Sequence, residues 1–239
     1  MVGLEIQPTG KYFLVTSAAG EIAFCAITFD EEDNATGIEH LHSFHAQEGV
    51  EYSSTAIHPD GLILGAGSSA GTIELWDLRN QALVSTVNAV SDTESPAFAV
   101  TALSFSENGY HLLGSNADGQ VCVYDIRKIG SDKSIIAKLN VESSDNPQAF
   151  VGSTINTVSF DPCGKFLAYG GEQGIVVVAV KEWDTVLTRM DAENGKAISS
   201  LAWSEDAKWI ASVSGKERIT RFWGEKIDDD TMDVDESGK

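Results

Sequence analysis

The 239-residue chain sets 36 Asp and Glu against 16 Lys and Arg, a net charge of −20 at pH 7, with 42% hydrophobic residues, 22 Gly and 5 Pro. That length can bury a sizeable core, and the composition is that of a soluble globular protein. So acidic a balance repels phosphate backbones and argues against direct nucleic-acid binding through a general basic surface.

No apolar run reaches membrane-spanning length, Ile175 to Val180 being too short. The opening MVGLEIQPTGKYF lacks the basic start and apolar stretch of a signal peptide. Cys25, Cys122 and Cys163 are far apart, odd in number and without a CxxC pair, which suits reduced thiols in an intracellular protein.

Along the chain, turns recur at Pro8-Thr9-Gly10, Pro59-Asp60-Gly61, Glu107-Asn108-Gly109, Pro162-Cys163-Gly164 and Glu205-Asp206-Ala207. Four residues before the last member of each stand Ile6, Ile57, Phe105, Phe160 and Trp203, and three after it Phe13, Leu64, Leu112, Leu167 and Ile210. Twelve after it come Ile22, Ile73, Val121, Val176 and Ile219, and fifteen after it Cys25, Trp76, Tyr124, Ala179 and Phe222. The turns themselves are 51, 48, 55 and 43 residues apart. A fixed internal register with variable spacing between units denotes one repeated fold element joined by surface loops.

Each unit alternates apolar and polar residues with the period of half-buried strands, and no stretch has the 3.6 period of a helix. In the third unit a strand ending at Phe105 is followed by strands at 110–114 and 120–126, with a fourth at 134–139, echoed by 83–87 in the second unit. Antiparallel hairpins in units of this length predict an all-β propeller of five recognisable blades, in units of about 1–48, 49–96, 97–150, 151–192 and 193–224. Gly10, Gly61, Trp76, Gly109, Tyr124, Gly164 and Phe222 define the repeat. The aromatic residues Trp203, Trp209, Phe222 and Trp223 are expected in core or inter-blade packing.

Trp76-Asp77, closing the third strand of GTIELWDLRN, resembles the signature of WD40 repeats, and GQVCVYDIRK at 119–128 echoes it. The sequences IHPDGLILGAGSSAGTIELWDLRNQALV, FSENGYHLL…VYDIRK and FDPCGKFLAYGG…VKEWDTVL resemble the last blades of the pre-mRNA-processing factor nineteen family. The resemblance runs from about Gly3 to Trp223 and implies a WD40-type β-propeller. Family members are splicing-complex ubiquitin ligases with an amino-terminal U-box, an oligomerising coiled coil and a seven-bladed propeller. Five units without U-box or coiled coil therefore suggest the carboxy-terminal part of a longer protein or a truncated gene product.

Asp77-Leu78-Arg79 and Asp125-Ile126-Arg127 set an acid and an arginine two apart at equivalent places. They resemble the DxR motif by which some WD40 proteins dock on a cullin-type ligase adaptor, while the plain alternative is a surface ion pair. His40, His42 and His45 could ligate zinc, with His40 and His42 on one face of a strand, but no cysteine lies near and an outer strand explains them better. No nucleophile with its His and carboxylate, no phosphate loop and no metal quartet is present, so no catalytic residue, cofactor or metal is assigned. Asp60 and Asp206 are explained by turn chemistry.

The resulting expectation is a nuclear protein-interaction scaffold acting in pre-mRNA splicing and DNA repair. It would hold splicing-complex proteins and ubiquitination substrates, with no direct nucleic acid and no membrane. The alternative is a generic WD40 scaffold or a substrate receptor of a cullin-type ubiquitin ligase. Long loops at 28–50 and 128–152 would meet basic partners, and the acidic segment 225–239 is expected to be disordered.

Overall fold

A computed structural model describes residues 1–46, 49–89, 98–131, 133–139, 153–192, 196–215 and 219–224. The acidic segment 225–239 and residues 140–152 lie outside the described residues. Five antiparallel sheets follow one another in the chain. Blade one is β1 (Gly3–Ile6), β2 (Tyr12–Thr16), β3 (Glu21–Phe29) and β4 (Ala35–His45). Blade two is β5 (Tyr52–Ile57), β6 (Ile63–Ser68), β7 (Thr72–Asp77) and β8 (Ala82–Asn88). Blade three is β9 (Val100–Phe105), β10 (His111–Asn116), β11 (Val121–Asp125) and β12 (Ile135–Leu139), with a 3-10 turn over Ile126–Lys128. Blade four is β13 (Ile155–Phe160), β14 (Phe166–Gly171), β15 (Gly174–Ala179) and β16 (Val186–Asp191). Blade five has three strands, β17 (Ser200–Trp203), β18 (Trp209–Ser214) and β19 (Ile219–Gly224).

The first hairpin of each blade turns on the repeated residue read from the sequence. Gly10, Gly61, Gly109 and Gly164 have φ of 70°, 71°, 71° and 68°, and Ala207 in the fifth turn has φ 57°. The left-handed backbone is open to glycine and strained for alanine, which is why the position is written as Gly four times.

Inner strands touch in the order β1, β5, β9, β13 and β17, and four apolar clusters fill the four seams between successive blades. The first seam joins Leu14, Ile22 and Phe44 to Tyr52, Leu64 and Trp76. The second joins Ile73 and Leu75 to Leu112, Cys122 and Tyr124. The seams are closed again at the turns. Gln7 donates from Nε2 to the Gly61 carbonyl at 3.0 Å, and His58 Nε2 stands 2.9 Å from the Gly109 carbonyl. Residues three before the repeated turn position thus reach the same position of the next blade.

The fifteen-residue offset fails in two blades. Leu64 pairs with Trp76 and Leu112 with Tyr124, but Leu167 pairs with Val178 and Ile210 with Trp223. The second hairpin is one residue shorter in blade four and one longer in blade five. A one-residue slip exchanges the two faces of a strand. Trp223 therefore faces the fourth seam, whereas Phe222, expected in the core, is 72% exposed.

Two further expectations need correction. Residues 28–50 are not mainly a loop, because β3 and β4 pair from Glu21↔His45 to Phe29↔Ala35 as a long hairpin. Within it Cys25 pairs with His40 and Phe24 with His42, so a bulge at Leu41 turns the two histidines to opposite faces. His42 stacks toward Phe24 at 5.2 Å, His40 Nε2 lies 2.9 Å from Ser43 Oγ, and no metal-holding cluster occurs among the described residues.

Candidate functional site

The two acid–arginine pairs stand where the third strands of blades two and three end. Asp77 Oδ1 accepts the Arg79 backbone N–H at 2.8 Å, and Arg79 Nη2 reaches Oδ2 at 3.2 Å. Asn80 donates to the same carboxylate from Nδ2 at 3.0 Å. This donor set, Arg79 foremost, lowers the Asp77 pKa to about 2. Asp125 is only 2% exposed and caps the 3-10 turn. It accepts Arg127 Nε and Nη2, each at 2.8 Å, and Lys128 Nζ at 3.2 Å. Those cations hold its carboxyl well below the usual range.

Each arginine thus grips its own aspartate with both arms of its fork. Arg127 also lies 4.6 Å over the Tyr110 ring. The two arginine side chains stay about three-fifths exposed. Sequence spacing therefore brings each pair together, and no hydrogen bond joins one pair to the other among the described residues. Beside Asp125, His111 sets its ring edge-on to Trp183 at 5.6 Å, and burial lowers its pKa.

A second surface is the β3–β4 hairpin, longer than its counterparts and carrying Asp30-Glu31-Glu32-Asp33 at its tip. Asp30 orders that tip by accepting the backbone N–H groups of Glu32 and Asn34 at 2.9 Å each. Ile38 and Leu41 are exposed along its outer strand. The acidic run was legible in the sequence. The projecting strands were not, because Ala35–His45 mixes Gly, Glu and His without a strict alternation.

Sequence reading also missed a buried polar group in the first seam. Tyr52 donates to Glu74 Oε2 at 2.5 Å, and Trp76 Nε1 donates to the Tyr52 hydroxyl at 2.9 Å and to Glu74 at 3.1 Å. Burial, then Glu74, push the Tyr52 phenol up. The available signal was Glu74 itself, an acid sharing a strand face with Trp76 in an otherwise apolar strand. Beyond Trp76 a file of rings runs through Phe44, His42 and Phe24 to Tyr12, at 5.3, 6.1, 5.2 and 5.4 Å. These contacts make a rigid frame, and the exposed pairs and hairpin are what it can present.

Comparison with known proteins follows the same lines. The family model described as WD domain, G-beta repeat matches residues 185–224, and that of the Nucleolar protein 10-like N-terminal domain matches residues 39–138. Pre-mRNA-processing factor 19 of Oryza sativa subsp. japonica is 34% identical over 96% of this chain and 39% of its own length. Pre-mRNA-processing factor 19 homolog 2 of Arabidopsis thaliana is 32% identical over 95% of this chain and 39% of its own length. The chain thus spans about two-fifths of these relatives. A chain in a crystal structure of the mitotic checkpoint complex superposes with a TM-score of 0.64 at 17% identity, over 88% of this chain and 59% of its own length, a likeness of fold alone.

Proposed function

The chain is a WD40 domain of the pre-mRNA-processing factor 19 family, and from that premise we propose that it is a protein-interaction scaffold in pre-mRNA splicing. The observation that carries the reading is likeness across nearly the whole chain, all five blades included, to two proteins named for pre-mRNA processing. The frame supports it, since four apolar seams hold the blades while pairs and hairpin lie on the surface. Its place is the nucleus, among splicing-complex proteins, with RNA contacted indirectly. Through the family it would serve a ubiquitin ligase by holding partners and substrates, including in DNA repair, while the conjugating enzyme is recruited elsewhere.

With a net charge of −20, the favoured partners carry basic patches, and association weakens as salt rises. The ordered acidic tip of the β3–β4 hairpin is the first surface to test. A pull-down from nuclear extract with this chain should recover splicing components, and Glu31→Lys with Glu32→Lys should reduce the yield. Recovery of none, or tight binding to bare RNA at physiological salt, overturns the reading.

A second reading rests on Arg79 and Arg127, half-open forks at equivalent ends of neighbouring blades. In that reading they dock the propeller on a cullin-type ligase adaptor. Arg79→Ala with Arg127→Ala should then abolish adaptor binding while sparing splicing components, and unchanged adaptor binding removes it.

A further inference from the structure

Each seam of the propeller joins a giving row on one blade to a receiving row on the next. In the fourth seam Ala168 and Val177, paired across β14 and β15, give to blade five. Trp203, Ile210 and Trp223, in line across β17, β18 and β19, receive them. The same two rows recur on the open faces of the first and last blades. Ala211 and Phe222 pair across β18 and β19 as Ala168 and Val177 do, on the face turned away from blade four. Ile6, Phe13 and Cys25 stand in line across β1, β2 and β3 as a receiving row, on the face turned away from blade two.

Neither of these rows holds a charged residue, and both meet solvent. Phe222 is 72% exposed where its counterpart Val177 is 6%, and Ile6 is 58% exposed where its counterpart Phe160 is 7%. A repeat whose outer face ends in water carries a polar face there. These two end faces are written instead as the halves of a seam.

We propose that the two halves meet between copies of this chain, blade five of one copy docking on blade one of the next as a fifth seam, with Phe222 set against Phe13 and Ile6. Two observations select a second copy as the partner. The first is bulk. On the receiving side the third strand supplies Trp76, Tyr124 or Trp223 in three of the four seams, against Phe24, Leu75 and Val177 on the giving side. Here the receiving residue is the short, buried Cys25 and the giving residue is Phe222, so the large ring changes sides and the pair still fills the seam.

The second is charge. Residues 1–46 hold seven Asp and Glu against one Lys, a net −6. The described residues of blade five, 196–215 and 219–224, hold three Lys and Arg against two acids, a net +1. Blade one therefore repels another blade one and attracts blade five, which selects the head-to-tail contact over a twofold one. Apolar burial holds the contact, and charge steers it. A head-to-tail contact leaves one free face of each kind on the assembly, so further copies can add.

The test is sedimentation of the purified chain, of Ile6→Lys, which blocks the receiving row, and of Phe222→Asp, which blocks the giving row. The parent should assemble as concentration rises. Each variant alone should stay monomeric with the thermal midpoint of the parent. Mixed in equal amounts, the two variants should form a species of twice the chain mass and nothing larger, because one intact face of each kind remains to be joined. Where a variant loses the midpoint, Leu4→Lys or Ala202→Lys blocks the same face in its place. A mixture that stays monomeric overturns the proposal. So does either variant assembling alone like the parent, which for Phe222→Asp would pair blade one with itself. A parent that is still monomeric at about 1 mM overturns it as well.

Discussion

Trp76 donates its indole hydrogen to the Tyr52 hydroxyl at 2.9 Å while Tyr52 donates onward to Glu74 at 2.5 Å, so one buried carboxylate in blade two is held by two aromatic donors. Glu74 is 3% exposed, and its Oε2 accepts from both Tyr52 and Trp76. Tyr52→Phe should cost about 1–3 kcal/mol, the range for leaving a buried acceptor short of a partner. Trp76→Phe should cost more, because it also empties part of the first seam. Urea midpoints at constant m-value measure both, and a Tyr52→Phe variant as stable as the parent would show that the bond contributes nothing net.

Ala207 sits at φ 57° in the one repeated turn that does not carry Gly. A left-handed alanine costs roughly 1–2 kcal/mol in strain, partly offset by the greater unfolded-state freedom of glycine. Ala207→Gly should therefore stabilise the chain by about 0.5–1 kcal/mol, seen as a raised thermal midpoint. The reverse change, Gly61→Ala, should lower it further than Ala207→Gly raises it. Gly61 has φ 71°, and a Cβ there would also press on the Gln7 side chain.

These turns show what was legible in the sequence. Gly10, Gly61, Gly109 and Gly164 announced four of the five hairpins, because a left-handed residue must be written as glycine or, as at Ala207, tolerated as strain. The face of each strand was less legible. Ala179 and Phe222 kept the repeat's numbering but not its pairing, since the second hairpins of blades four and five are a residue short and a residue long. A single offset cannot register such a slip, and only the pairing of Ile210 with Trp223 shows which aromatic ring the fourth seam holds. The acid–arginine pairs were readable because residues two apart across a strand end must meet. The Tyr52–Glu74–Trp76 group was not, because 22 residues separate its first two members.

Acid should weaken the fold through Asp77, Asp125 and His111. The Asp77 pKa is lowered to about 2 by Arg79, and that of Asp125 is lowered by Arg127 and Lys128. A carboxyl with a lowered folded-state pKa lends stability that is fully present above its unfolded value, near 3.9, and is lost as pH falls through the folded value. His111 is lowered from 6.5 by burial, so its contribution is likewise present above that value and lost as pH falls below it. Glu5, raised by burial, works in the opposite sense and offsets a part. Stability should be nearly flat from pH 7 to 8, sag below 6.5 and fall steeply below 4. In Asp77→Asn/Asp125→Asn the fall below pH 4 should flatten, and an unchanged acid limb would assign it to other groups.

Blade one presents Leu4 and Ile6, 52% and 58% exposed, on the face turned away from blade two. They pair with Val15 and Phe13, so four apolar side chains from two adjacent strands lie together on that sheet face. On the opposite face Glu5 accepts a hydrogen bond from Thr55 of blade two at 2.9 Å, which fixes which side of β1 is turned outward. An apolar sheet face of this kind invites association with another sheet. This chain should therefore self-associate with rising concentration, and high salt should not disperse the assemblies, since apolar burial is not screened. Ile6→Lys places a charge at the centre of the patch without touching the seam, and should shift sedimentation toward monomer while leaving the thermal midpoint within about 0.5 kcal/mol of the parent's stability. Assemblies that persist unchanged in Ile6→Lys, or that dissolve in salt, would place the contact on the charged surfaces instead.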